Sequence, residues 1–192
     1  MGENVKLANP AALGLFGLGI VALIAASENL GWVDMDPALM PWIFFIGGLA
    51  LIIAALLEYK CGDIFAATFF GAFGLFWFAY GNPWWDVTAG WEQLKFIIVG
   101  YLIFSLYMMY AAATIDKVKF FVLFFMMLMF LGLALSVFAD VTIKFAGLAE
   151  LLLALSAFYA SAAILLKTMA GFDVLPAGKP FLQLKEILPP EP

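Results

Sequence analysis

The chain has 192 residues, of which 66% are hydrophobic and 12% are charged, whereas an ordinary soluble domain is about 45–50% apolar and about 25% charged. Its net charge is −5, which argues against a nucleic-acid partner. The composition excludes a water-soluble globular protein and a disordered chain, because both need more polar residues. It indicates an all-α integral membrane protein.

Six long segments with few or no charges follow one another along the chain. Each is about as long as the roughly 20 helical residues that cross a bilayer core about 30 Å thick. The predicted transmembrane helices cover residues 11–28, 38–58, 63–80, 92–114, 119–139 and 144–168. Short linkers make neighbouring helices antiparallel. We therefore expect one six-helix transmembrane domain over residues 1–192, which ends in a short cytoplasmic tail over residues 171–192.

The lysines predict the orientation of this domain, since cytoplasmic loops of membrane proteins are enriched in positive charge. One predicted side holds Lys6, Lys60, Lys117, Lys119, Lys167, Lys179 and Lys185. The other side holds only Lys95 and Lys144. We therefore expect a multi-pass protein of the plasma membrane with both termini in the cytoplasm. The opposite side carries Glu28, Asp34, Asp36, Asp86 and Glu92, together with Trp32, Trp42, Trp84, Trp85 and Trp91, which we interpret as an interfacial belt.

Little of the chemistry of enzymes is available to this chain. It has no histidine and no arginine, and its only cysteine is Cys61. The commonest general base and metal ligand is therefore missing, and an intramolecular disulfide is excluded. We expect no enzyme activity, no metal site and no cofactor.

Two acidic residues within or at the end of the predicted helices are candidates for proton coupling. Glu150 lies inside the sixth helix, and an intramembrane carboxylate is a functional candidate by default. Because a desolvated carboxylate resists ionisation, Glu150 is the better placed of the two. It could instead be a hydrated edge residue close to Lys144. Glu58 closes the second helix, and its simpler interpretation is a solvated charge at a helix end.

The first helix begins at Asn9-Pro10. We expect Asn9 to be the N-cap and Pro10 the first helical residue. The amides behind them form a positive end that could attract an anion, although capping alone is an equal alternative. Asp63 is expected to cap the third helix. Glycines lie along the first three helices, where they allow close packing or leave a narrow path for a small solute.

Several motifs resemble one family. The segment NPAALGLFGLG at residues 9–19 resembles the first-helix signature of the acetate uptake transporter family, of the succinate–acetate permease type. Further agreement comes from Gly47-Gly48, LLEYK at residues 56–60, Thr68, Phe73-Gly74, AFYA at residues 157–160 and LPAG at residues 175–178. The resemblance extends over essentially the whole chain.

The resemblance implies a six-helix protomer in a ring-shaped homo-hexamer, with a path for acetate or a related short carboxylate such as succinate in each protomer. It places the constriction of this path at Leu18, Phe73 and Met126. All three depart from the usual Phe, Tyr and Leu, and Glu150 replaces a small residue. It also implies that substrate is bound or admitted near Asn9, Pro10, Gly14, Thr68 and Tyr159.

The sequence leaves two other functions open. A six-helix ring would also serve as a channel for a small neutral solute such as urea or ammonia. A membrane scaffold or sensor that transports nothing is the third hypothesis. Proton symport and channel-like flow are both compatible with the residues.

Overall fold

The computed structural model describes residues 8–34, 36–82 and 91–183, with only the backbone of residues 91–93. Every regular element in these ranges is helical, which confirms the all-α class. The helices are α1 Ala11–Asn29, α2 Pro37–Cys61, α3 Ile64–Tyr80, α4 Trp91–Ala112, α5 Lys117–Ala139 and α6 Lys144–Ala170. Five are long and apolar enough to cross a membrane, and α3 is a shorter apolar helix of 17 residues.

Side chains and glycines fix the helix ends where the chain turns tightly. The Asp63 carboxylate accepts a hydrogen bond from the Ala66 amide at 2.9 Å, which confirms the predicted cap of α3. Asp116 caps α5 in the same way through the Lys119 amide at 2.8 Å. Gly62 ends α2 with φ near 80°, a left-handed conformation that suits glycine. These caps satisfy backbone groups that would otherwise lack partners in lipid.

Helix α2 is irregular in its first half. A 3-10 turn at Pro37–Leu39 leads through one short α-helical turn into a π-helix at Ile43–Leu49, and a regular helix follows from Ala50. The π-helix contains Gly47 and Gly48. A Cβ atom at Gly47 would overlap Val21 of α1, and one at Gly48 would lie 2.7 Å from the Phe78 Cα of α3. Gly48 therefore lets α2 approach the backbone of α3, and Gly47 leaves room for the Val21 side chain of α1.

The helices pack in a fixed order that positions the candidate site. Helix α1 lies along α6 and against α2, α3 packs on α2, α5 on α6, and α4 on α5. The backbones of α3 and α4 approach each other at few points, and aromatic side chains fill the space between them. The outer face of α4 is apolar and exposed, with residues Phe96, Ile103, Leu106, Tyr107 and Tyr110. This face is available to lipid or to another protomer.

The tail after α6 folds back over one end of the bundle. The amides of Phe181 and Leu182 donate to the Ala113 carbonyl at 2.9 and 3.0 Å, and the Val118 amide donates to Ala177 at 3.1 Å. The tail therefore binds the connection between α4 and α5.

Part of the predicted belt and of the lysine distribution falls outside the described residues. Trp32 and Trp42 are exposed, by 61% and 58%, as a belt requires. Lys6, Lys185, Trp84, Trp85 and Asp86, and the side chains of Trp91 and Glu92, lie outside the described part.

Candidate functional site

The three predicted constriction residues come from three helices. Leu18 of α1, Phe73 of α3 and Met126 of α5 are all fully buried, with 0% exposure, and belong to one continuous apolar core. Water has no access to any of the three side chains. In this conformation the three side chains are part of the packed interior, and their role as a constriction stays a prediction.

Phe73 is the centre of an aromatic cluster between α3, α4 and α5. Its ring lies 5.3 Å from Phe104, 5.7 Å from Tyr101 and 5.9 Å from Phe130, measured between centroids. Aromatic rings at these separations attract each other beyond simple area burial. A solute could pass here only if these rings rotated or moved apart.

Tyr101 is a site residue that the sequence analysis missed. Its hydroxyl donates to the Ala72 carbonyl at 2.8 Å, immediately before Phe73 in the chain. The resemblance implies a tyrosine where this chain has Phe73, and Tyr101 of α4 brings a hydroxyl to the neighbouring backbone. Tyr101 is one of three tyrosines of α4, with Tyr107 and Tyr110, and the sequence gives no signal that sets it apart from the other two.

A cavity of about 650 Å³ adjoins the aromatic cluster and reaches toward the ends of α1 and α3. Phe76, Tyr101 and Met129 line it on the side of the cluster, and most of its wall is aliphatic or aromatic. The polar residues in the wall are Glu28, Asn29, Tyr80, Tyr101, Ser136 and Glu150. The cavity size is in the range of small-molecule sites.

Glu150 is the most deeply placed acid of this cavity, with 2% of its surface exposed. The side-chain amide of Asn29, at the end of α1, donates to its two carboxylate oxygens at 2.8 and 3.1 Å. Gly147, one turn earlier in α6, permits this approach, because a Cβ atom there would lie 3.0 Å from the Asn29 backbone. Glu150 is therefore held in a cavity wall by a neutral partner, and it is not hydrated at the bundle edge.

The start of α1 differs from the expected arrangement by one residue. The helix begins at Ala11, and Pro10 is in the cap position because its carbonyl accepts the hydrogen bond from Gly14 at 3.3 Å. Asn9 nevertheless accepts a hydrogen bond from the Ala11 amide at 2.9 Å. The Glu58 carboxylate is buried, with 4% exposure, and lies near this amide. The first amide of α1 thus faces two side chains of the protein itself.

The other predicted binding residues are not gathered in the cavity. Gly14 is a packing position, since a Cβ atom there would lie 2.5 Å from the Phe70 ring. Thr68 is half-buried on α3. The Tyr159 hydroxyl donates to the Pro176 carbonyl at 3.0 Å and so ties α6 to the tail. Within the described part of the chain, no group of acidic or cysteine residues is arranged to hold a metal ion.

The comparisons with known proteins agree with one another. The model of the GPR1/FUN34/yaaH family matches residues 2–179. The chain is 34% identical over 184 residues to the succinate-acetate/proton symporter SatP of Escherichia coli K12, covering 92% of this chain and 98% of that protein. It is 32% identical over 148 residues to ammonia transport outward protein 3 of Saccharomyces cerevisiae, covering 70% of this chain and 54% of that protein. The solved structure of the bacterial acetate channel SatP is similar, with a TM-score of 0.84 and 32% identity over 90% of this chain and all of that one.

Proposed function

We propose, since the chain belongs to the GPR1/FUN34/yaaH family, that it transports acetate and related short carboxylates across the plasma membrane. The family match bears out the resemblance seen in the motifs. The similarity to SatP extends over nearly the full length of both proteins. The relatives compared are named for transport, and we propose the same for this chain in place of an enzyme activity.

The observation that carries the proposal is a set of fully buried apolar side chains, at the positions expected to form the constriction, beside a cavity. Leu18, Phe73 and Met126 are fully buried, and the cavity adjoins the rings around Phe73. An apolar ring blocks hydrated ions by dewetting, while a small molecule with a methyl group and few polar atoms crosses it at low cost. Acetate in its protonated form has this chemistry. Opening requires movement of Phe73 and its neighbours.

We propose Glu150 in the cavity wall as the residue that couples protons to transport, with Glu58 as the second candidate. Glu150→Gln keeps the shape of the side chain and an oxygen that can accept from Asn29, and it removes the titration. We expect this variant to flatten the pH dependence of uptake and to retain exchange of acetate against acetate. An unchanged pH profile would show that the proton moves on acetic acid itself.

The protomer is proposed to assemble as a homo-hexamer with both termini in the cytoplasm and the residues 171–192 as a cytoplasmic tail. The exposed apolar face of α4, which contains Phe96, Ile103 and Tyr107, is suited to burial between protomers. Native mass spectrometry in mild detergent tests the assembly. A monomer as the only species would contradict this part of the proposal.

Uptake of labelled acetate into proteoliposomes, with and without a pH gradient, tests the function directly. Protein-free liposomes and the Phe73→Trp variant, whose larger ring should obstruct the constriction, are the controls. The similarity to ammonia transport outward protein 3 favours ammonia as the second candidate substrate. Methylammonium flux without acetate flux would support that alternative, and a lack of flux for acetate, methylammonium and urea would support a scaffold or sensor.

A further inference from the structure

We infer that Glu28 and Glu150 form a charge filter that admits short-chain acids to the cavity in the undissociated form and excludes their anions. The inference rests on the proposed function, which concerns whether these compounds are carried at all. The inference itself concerns whether the acid or its anion enters the cavity, and which residues select between them. The two glutamates come from α1 and α6 and line the same cavity.

In the described part of the cavity wall, every charged side chain is acidic. Among its lining residues that the structure describes, the ionisable side chains are Glu28 on α1, Tyr80 on α3, Tyr101 on α4 and Glu150 on α6, and none is a lysine. Helix α5 contributes Ser136 and apolar side chains. Lys95, the lysine of α4, lies over the Phe138 ring at 5.7 Å. A carboxylate that entered the cavity would therefore meet like charge without a cation in the wall to offset it.

At the mildly alkaline pH of the test below, where ionisation of Glu150 is favoured, burial strengthens the repulsion between its charge and an entering anion. Glu150 is 2% exposed, and its described partner is the neutral amide of Asn29. No lysine forms a salt bridge with it among the residues that the structure describes. Charges interact more strongly where water is scarce, so a second anion beside Glu150 is disfavoured more than it would be at a surface.

Hydrogen bonding to the two glutamates also favours the undissociated acid over its anion. An ionised glutamate can only accept hydrogen bonds, and so can an acetate anion, whereas an undissociated acid has an O–H group to donate. The Tyr101 hydroxyl already donates to the Ala72 carbonyl, so toward a ligand it presents an acceptor. The carboxylates and the Tyr101 oxygen thus offer acceptors to an undissociated acid, while the Tyr80 and Ser136 hydroxyls in the same wall can donate or accept. Its aliphatic and aromatic remainder suits a methyl or short alkyl group.

Trifluoroacetate is the probe, because it resembles acetate in size and shape and stays ionised over the whole working range of pH. Its uptake into proteoliposomes, driven by an inside-positive membrane potential at mildly alkaline pH, is compared with uptake of acetate. The test variant is Glu28→Gln combined with Glu150→Gln. Glutamine at position 150 can still accept from Asn29, and each single variant is measured in case the double variant folds poorly. Asp34→Asn is the matched control, since Asp34 is an exposed acid outside the cavity wall.

We expect the parent and Asp34→Asn to carry acetate and to leave trifluoroacetate at the level of protein-free liposomes. The double variant should carry trifluoroacetate at least tenfold above that level, and each single variant should show part of this gain. Trifluoroacetate uptake by the parent at a rate close to that of acetate would overturn the filter. So would variants that carry acetate and still reject trifluoroacetate. A parent that carries neither compound would instead refute the proposed function.

Discussion

Replacing Gly48 with alanine tests whether α2 and α3 pack at backbone distance. A Cβ atom at this position would lie 2.7 Å from the Cα atom, 2.8 Å from the Cβ atom and 2.9 Å from the amide nitrogen of Phe78. Backbone atoms cannot rotate away, so the π-helix at Ile43–Leu49 and α3 must separate. Overpacking of this kind costs about 1–3 kcal/mol, and the better helix propensity of alanine returns up to about 1 kcal/mol.

The net loss of up to about 2 kcal/mol should lower the melting temperature by up to about 8 °C for a chain of this size. Thermal unfolding of the purified protein in detergent, followed by tryptophan fluorescence, measures the shift. Gly71→Ala is the matched control at the same pair of helices, because its Cβ atom would meet the Ala55 Cβ atom at an ordinary 3.6 Å. If Gly48→Ala melts at or above the temperature of Gly71→Ala, the close packing described here is wrong.

Three further predictions concern transport and orientation. Phe73→Ala removes the centre of the aromatic cluster and should raise leak or admit larger carboxylates; an unchanged ratio of succinate to acetate flux would place Phe73 off the path. Asn9→Ala removes a helix cap that is typically worth about 1 kcal/mol, and we expect lost acetate uptake with folded protein still in the membrane, whereas normal uptake would make Asn9 an ordinary cap. Cys61 is the chain's single cysteine and is exposed, so a membrane-impermeant maleimide should label it in inside-out vesicles and not in right-side-out vesicles. Labelling with the opposite preference would reverse the predicted orientation.

The number and approximate position of the helices could be predicted because crossing a bilayer is a local requirement on a segment. Uncharged runs of about 20 residues satisfy this requirement. The observed helix ends lie close to the charged residues at which these runs begin and end. The π-helix at Ile43–Leu49 could not be predicted in this way. The pair Gly47-Gly48 indicated close packing, which the short distances to α1 and α3 confirm, but it carries no signal for the wider turn.

The candidate site was predicted only in part. Glu150 stands out in the sequence as an acid inside an apolar run, but its partner Asn29 is 121 residues away and ends another helix. The pair exists only because α1 and α6 pack along each other. The same holds for Tyr101, whose contact with Ala72 depends on how α3 and α4 meet.

The predicted residues that lie away from the cavity have a common physical explanation. In lipid, every polar backbone group needs a partner within the protein, so polar side chains near helix ends are engaged by the backbone first. Asn9 accepts from Ala11, and Tyr159 donates to Pro176. Sequence motifs identify such residues without showing that their hydrogen bonds are internal. The polar groups that can act on a solute are those turned into the cavity, and for this chain the deepest of them is Glu150, a carboxylate whose partner is a neutral amide.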